Sequence, residues 1–232
     1  MTRTAAFFDF DRTLIAADSQ RMEALSLLRN HWPGLLYPFR LLKVALAEPF
    51  YKRNLMDHDR FNRIYLTSYK GIPLSHLQAH ARHLYEDRLK PLLFPDMMAL
   101  MADHKTRGHL VIVVSATSGH LLAPFIEDHA PDAWFATPIE AGRDGLCTGR
   151  PAGNICVGSE KARAIGGLAR TMGINLAASH AYSDHHADLA FLRAVGHPTA
   201  VNPTPALKTV ALDQGWDIAH HDHNASQNDQ NR

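Results

Sequence analysis

The sequence predicts an α/β fold, a parallel sheet flanked by helices, with an all-helical insertion after the first strand. Three observations predict it. Short apolar runs alternate with stretches of helical periodicity, those runs end in polar residues, and residues 18–91 carry helical patterns without a convincing alternating strand. Parallel neighbours need a crossover, usually a helix, so this alternation leads to a Rossmann-like sheet.

The first run, Ala5-Ala6-Phe7-Phe8, delivers Asp9-Phe10-Asp11 at its carboxyl end. A second, His109 to Val114, is rich in β-branched residues and leads into Ser115-Ala116-Thr117-Ser118-Gly119. A weaker third, Ser179 to Tyr182, ends in Ser183-Asp184, and a fourth, Pro198 to Val201, stops at Asn202. The lengths and apolar content match strands buried on both faces. Helices are expected over Pro95–Arg107, Glu160–Met172 and Asp188–Val195. Ligands in such folds sit beyond the carboxyl ends of the strands, where these hydroxyls and carboxylates collect.

Helical patterns at Arg21–Leu28, Arg60–Tyr69 and Leu74–Leu89, with four prolines between them, make 18–91 a helical cap lying as a lid over the site. A structureless crossover of that length is uncommon in a compact domain. The expected organisation is an α/β core of residues 1–17 and 92–219, the cap at 18–91, and a disordered polar tail at 220–232. A metal held by the tail residues His220, His221, Asp222 and His223 would be adventitious.

Composition narrows the function classes. The 232 residues are 46% hydrophobic and 20% charged, with 24 Lys+Arg against 23 Asp+Glu, so no basic field points to nucleic acid. Sixteen histidines are many for this length. Two cysteines, Cys147 and Cys156, do not make a disulfide framework, and two thiols do not close a zinc site. The start lacks a secretory pattern and no run of about 18 apolar residues occurs, so a reduced cytoplasmic location is expected.

Asp9 and Asp11, at i and i+2, point to one face of a strand. Carboxylates so close need a cation or a shared proton, and magnesium is the usual cation beside phosphate. The pair alone fits two solvated acids equally well. Ser115 and the amides after it can donate to a phosphoryl oxygen at a helix start, as a bland strand-to-helix turn would also allow. Lys161 opens a helix after an Asp144-Gly145 hairpin turn. Asp184 and Asp188 span the start of another helix and can ligate or orient magnesium. The competing reading is a transition-metal site of Asp184, His185, His186 and Asp188.

Taken in order, FFDFDRTL, VIVVSATSGH, the Lys161 helix and YSDHHADL resemble the four motifs of the haloacid dehalogenase superfamily. Within it they resemble the phosphoserine-phosphatase-like subfamily with a helical cap after the first strand. The resemblance spans nearly all the chain outside the cap and tail. It implies Asp9 as nucleophile, Asp11 as general acid/base and Lys161 as the charge-neutralising catalytic cation. Phe10, Ser115, Ala116 and Asp18 would contact substrate or its phosphate, and Asp9, Asp11, Asp184 and Asp188 would hold Mg2+. The expected reaction is phosphomonoester hydrolysis through an aspartyl phosphate. Two departures stand out: Arg12 where the family usually has Gly, and His185 where Ser is common.

The expected partner is a small phosphorylated metabolite such as phosphoserine or histidinol phosphate. Asp18 stands where phosphoserine phosphatases hold the substrate amine, and it equally suits a helix cap. Arg60, Arg63 and Lys70 are in the region of the carboxylate-binding arginine but out of register. The apolar stretch from Trp32 to Leu46, continuing to Arg53, reads first as a cap helix packed on its neighbours. Its alternative is a membrane-surface segment serving lipid phosphates. A phosphotransferase using the same intermediate is the other alternative. Oligomeric state is not legible.

Overall fold

The computed structural model describes residues 2–29, 37–53 and 55–222. In chain order the elements are β1 (Ala5–Phe8), α1 (Ser19–Arg29), α2 (Tyr37–Lys52), α3 (His58–Leu66), α4 (Leu74–Leu84), α5 (Pro95–Thr106), β2 (Leu110–Ser118), α6 (Gly119–His129) and β3 (Ala133–Thr137). Then come β4 (Ile139–Ala141), β5 (Cys147–Pro151), α7 (Ser159–Met172), β6 (His180–Ser183), α8 (Leu189–Leu192), β7 (His197–Val201), α9 (Pro205–Gln214) and β8 (Asp217–Ala219).

Six strands form one parallel sheet in the order β3-β2-β1-β6-β7-β8. The fully buried β1 lies between β2 and β6, so Asp9 emerges at the centre of the carboxyl edge. Alternate side chains of β1 feed two cores. Ala6 and Phe8 pack with Met97 and Met101 of α5 and with Leu121, Leu122 and Phe125 of α6. Ala5 and Phe7 pack with Ile165 of α7, Phe191 of α8 and Leu207 of α9.

The sheet is the predicted one, with corrections at its ends. The second strand does not stop at Val114 but runs through Ser118, because β3 supplies hydrogen-bonding partners to that polar stretch, with a register shift between Val114 and Ser118. The edge strands β3 and β8 have no strong local pattern and were not expected as strands. The Asp144-Gly145 turn joins β4 to β5 as an antiparallel hairpin, with Gly145 at φ 76. Cys147 and Cys156 are buried free thiols.

Among the described residues 18–91 no strand forms, as expected. The helix expected over Leu74–Leu89 ends at Leu84, continues through one widened turn at Tyr85–Leu89 and closes on a tight turn at Lys90–Leu92, where Pro91 cannot continue a helix. The helix expected over Asp188–Val195 is a single turn, α8. Just after it the backbone must pass Ala177: a Cβ on Gly196 would sit 1.8 Å from the Ala177 carbonyl oxygen.

A third apolar cluster joins α1, α2, α3 and α4, through Leu27, Tyr37, Tyr65 and Leu77, to Cys147, Ile155 and Val157. The packing of α2 is divided. Tyr37 and Ala47 are buried and Leu41 and Val44 are partly covered, whereas Phe39, Leu42, Leu46 and Phe50 are 54–67% exposed along one side. The start of the apolar stretch, 32–36, and the tail from 223 lie outside the described residues. No described helix is long and apolar enough to cross a membrane.

Candidate active site

The register of the sheet assembles the site. Phe8 pairs with Val113 on one side and Tyr182 on the other, so the chain beyond β1 runs beside Ser115 and beside Ser183-Asp184. The Asp9 amide extends this ladder, donating to the Tyr182 carbonyl at 3.0 Å. Asp9 Oδ1 accepts from the Phe10 amide at 2.8 Å and from Lys161 Nζ at 2.8 Å.

Lys161 arrives from the first turn of α7, where Gly158 (φ 53) turns the chain into the helix. A Cβ at Gly158 would lie 3.2 Å from the Ala187 carbonyl, so the residue also permits close approach. Lys161 is 1% exposed and its ammonium also bonds Asp188 Oδ2 at 2.7 Å. Ser183 Oγ donates to the same Asp188 oxygen at 2.7 Å and lies 3.5 Å from Asp9 Oδ2.

Burial alone would lower Lys161, but Asp188 and Asp9 outweigh it and hold the ammonium above its ordinary value. Burial likewise raises Asp188, and Lys161 and Ser183 reverse that, so Asp188 stays ionised. Asp9 is pushed up to about 7 by burial, with Asp188 and Asp11 adding like charge and Lys161 opposing. Asp184, 5% exposed, is pushed up to about 8 by burial and then by Asp9 and Asp188. Its carboxylate has no hydrogen bond or ion pair among the described residues.

Asp11 is held separately. Its Oδ1 accepts from the Ser19 amide at 2.9 Å and its Oδ2 from the Thr117 hydroxyl at 2.7 Å. Burial raises it to about 6, Asp18 adds to the rise, and the Thr117 and Ser19 bonds oppose it. Two carboxylates two residues apart therefore have different partners. That is the condition for different roles. Sequence patterning put Thr117 and Ser183 among the polar residues at strand ends without giving either a role, and the local signal at Ser19 was that of a helix cap.

Ser115 is buried and its Oγ accepts from the Thr117 amide at 3.1 Å, leaving the hydroxyl proton without an acceptor among the described residues. The half-buried Ala116 gives its carbonyl to the Thr137 hydroxyl. The Phe10 side chain is not at the site; it packs against Phe125 in the core, and only its amide faces Asp9. Asp18 caps α1 through the Arg21 amide at 3.0 Å, and its charge is felt at Asp11.

Arg12 has φ 58, the left-handed region in which Gly is at ease. His185 accepts from the Ala187 amide through Nδ1 at 3.2 Å, which fixes the neutral tautomer, and burial holds it down at about 4. Its ring packs on His186 and, across the site, on His58 at 5.5 Å and Tyr51 at 6.4 Å. Tyr51 stacks on Phe61 at 4.6 Å. Arg60, Arg63 and Lys70 are all exposed, and Arg63 forks onto Asp59 at 2.7 and 3.3 Å.

The family model of haloacid dehalogenase-like hydrolases matches residues 6–193, which include every residue of the site described above. The chain belongs to the haloacid dehalogenase-like hydrolases. This hydrolase is 34% identical over 219 residues to a Mycobacterium tuberculosis protein named a probable phosphatase, covering 93% of this chain and 75% of that one. It is 30% identical over 223 residues to a protein of the same organism named a phosphoserine phosphatase, covering 92% and 70%. A crystal structure of a Bordetella pertussis protein of unknown function matches the hydrolase with a TM-score of 0.82 at 28% identity, over 94% of this chain and 99% of that one.

Proposed function

We propose that this hydrolase is a Mg2+-dependent phosphomonoesterase that works through a phosphorylated Asp9. The observation that carries the reading is the split between the two motif carboxylates. Asp9 is gripped by Lys161 and the Phe10 amide, and Asp11 by Thr117 and the Ser19 amide.

A hard divalent cation fits the donor set. The residues offered are carboxylate oxygens of Asp9 and Asp184 with the Asp11 carbonyl, and the Asp184 carboxylate is buried with no hydrogen bond or ion pair among the described residues. When bound, the ion neutralises the crowded carboxylates and polarises the phosphoryl group. Asp188 spends one oxygen on Lys161 and Ser183, so it holds the lysine and leaves its other oxygen for the ion or its water.

The carboxylate of Asp9 attacks phosphorus and the P–O bond to the alcohol breaks, while Asp11, protonated, gives its proton to the leaving oxygen. Asp11 then takes a proton from water, whose oxygen attacks the aspartyl phosphate and releases phosphate and Asp9. Lys161, the Ser115 hydroxyl and nearby amides stabilise charge on the phosphoryl oxygens. Residues 18–91 act as the cap that closes over this edge of the sheet.

The cap side offers Tyr51, His58 and Asp18 near the carboxylates, while Arg60, Arg63 and Lys70 are exposed. This wall suits a phosphomonoester with a cationic or imidazole-bearing alcohol, such as histidinol phosphate, better than one with a free carboxylate such as phosphoserine. The exposed stripe Phe39, Leu42, Leu46 and Phe50 supports a second reading, a lipid phosphate met at a membrane surface. Transfer to an acceptor alcohol in place of water uses the same intermediate.

The test is a phosphomonoester panel with Mg2+, run with and without acceptor alcohols, beside liposome flotation. Turnover on histidinol phosphate above phosphoserine is expected, and Asp9→Asn should reduce it to background with the far-UV spectrum unchanged. Hydrolysis retained by Asp9→Asn, with deamidation excluded, overturns the mechanism. Partition into vesicles with preference for lipid phosphates would replace the small-metabolite reading.

A further inference from the structure

At the end of the sheet opposite Asp9, three histidines converge from a helix, a strand and the residue that precedes another strand. His104 in the last turn of α5, His109 just before β2 and His180 at the start of β6 place ring nitrogens within 4.8 Å of one another. The register explains their meeting. Ala5 pairs with Leu110 and Ala6 with His180, so His109 and His180 flank the amino end of β1. Asp9 lies three residues on from Ala6, about 10 Å along a strand that rises about 3.3 Å per residue.

His104 is buried and the other two are half-buried, so the group opens toward solvent on one side. His104 Nδ1 lies 2.9 Å from His109 Nδ1, and His104 Nε2 lies 2.8 Å from the Tyr182 hydroxyl. The His180 ring centre is 4.8 Å from that of His104 and 5.7 Å from that of His109, and His197 stacks on its other side at 4.8 Å. Burial, then the neighbouring histidines, hold His104 at about 4; burial, then His197 and His109, hold His180 below its ordinary value.

We propose that His104, His109 and His180 form a binding site for a divalent transition metal of the zinc class, with a fourth position open to water. Three imidazoles without a carboxylate favour such ions over Mg2+, which takes oxygen ligands. Tetrahedral bonds of about 2.0–2.1 Å place ligand nitrogens about 3.3 Å apart, a separation that lies between the 2.9 Å from His104 Nδ1 to His109 Nδ1 and the 4.8 Å limit of the group. Metal on His104 Nδ1 puts the proton on Nε2, which then donates to the Tyr182 oxygen. This is the kind of outer hydrogen bond that orients a ligating histidine. The bound ion would tie the end of α5 to the starts of β2 and β6. The inference is independent of the reaction proposed for the opposite edge.

The test is a Co2+ titration of the full chain in excess Mg2+, with His220, His221 and His223 changed to Asn in every sample. Uptake of one equivalent with the visible bands of a tetrahedral site, and a raised Tm, is expected. His109→Gln and His180→Gln should each weaken binding at least ten-fold and remove the bands, with the far-UV spectrum and phosphomonoester turnover kept. Tyr182→Phe, which retains all three ligands, should weaken it about 10–100-fold. Should His180→Gln fail to fold, His109→Gln alone decides. No stoichiometric uptake, or uptake unchanged by the ligand substitutions, overturns the proposal.

Discussion

Asp11 is set by two groups from different elements, the Ser19 amide at the start of α1 and the Thr117 hydroxyl near the end of β2. The Thr117 bond favours the ionised form and works against burial. Thr117→Val therefore raises the carboxyl above about 6, and because the acid role proposed for Asp11 needs it protonated, the basic limb of the kcat–pH profile should move to higher pH. A limb that stays in place would show that Asp11 is not that acid. Arg12 poses a backbone question. A side chain in the left-handed region costs roughly 1–2 kcal/mol, partly offset in Gly by its extra unfolded-state freedom. Arg12→Gly should therefore raise the unfolding free energy by about 1 kcal/mol in urea at an unchanged m-value, and a lower midpoint would contradict it.

At the scale of elements, α1, α6 and the chain just after α3 meet through a buried polar cluster. Glu23 is fully buried, accepts from the Tyr69 hydroxyl and pairs with His120 Nε2 at 2.6 Å. Tyr69 also contacts Tyr65. This cluster fastens the helices after β1 to the helix that follows Ser115, so it sets how α1 presents the Ser19 amide to Asp11. Glu23→Ala leaves two buried groups without their acceptor and should cost about 3 kcal/mol in urea denaturation. A loss under about 1 kcal/mol would mean that water replaces the carboxylate. The same scale shows why some elements were legible and others not. The hydrophobic runs of β1 and β2 announce central strands, whereas β3, an edge strand reading Ala-Trp-Phe-Ala-Thr, depends on pairing with β2.

For the whole molecule, the buried carboxylates impose an unusual dependence on pH. Asp9 and Asp184 titrate at about 7 and about 8 in the fold, against about 3.9 in an unfolded chain. Their contribution to stability is complete below about pH 4 and is lost as pH rises through their folded values. His104 and His185, held at about 4, work in the opposite direction, adding stability between about pH 4 and 6.5. Asp188, held low, loses its contribution only in acid. Above pH 6.5 the two carboxylates govern. Metal-free protein should lose stability between pH 6.5 and 8.5, Asp184→Asn should flatten that slope, and Mg2+ should raise Tm more at pH 8 than at pH 6.5. Thermal and urea melts across this range check it; a flat metal-free profile contradicts the assigned burial effects.

The sequence by itself determined the α/β alternation, the central strands and the helical character of the region after β1, and it singled out Asp9, Asp11, Ser115, Lys161, Asp184 and Asp188 as candidates. Each of these is written in a local pattern, an apolar run followed by a polar residue or the opening of a helix. Tertiary structure alone decided which partner each charged group takes. Thr117 reaches Asp11 across 106 positions and Ser183 lies beside Asp9 across 174. It also decided that Asp18 caps α1, that the second strand runs on to Ser118, and that one side of α2 stays uncovered. Periodicity records how a residue faces its own element, whereas hydrogen bonds and charge pairs depend on which elements the sheet register brings together.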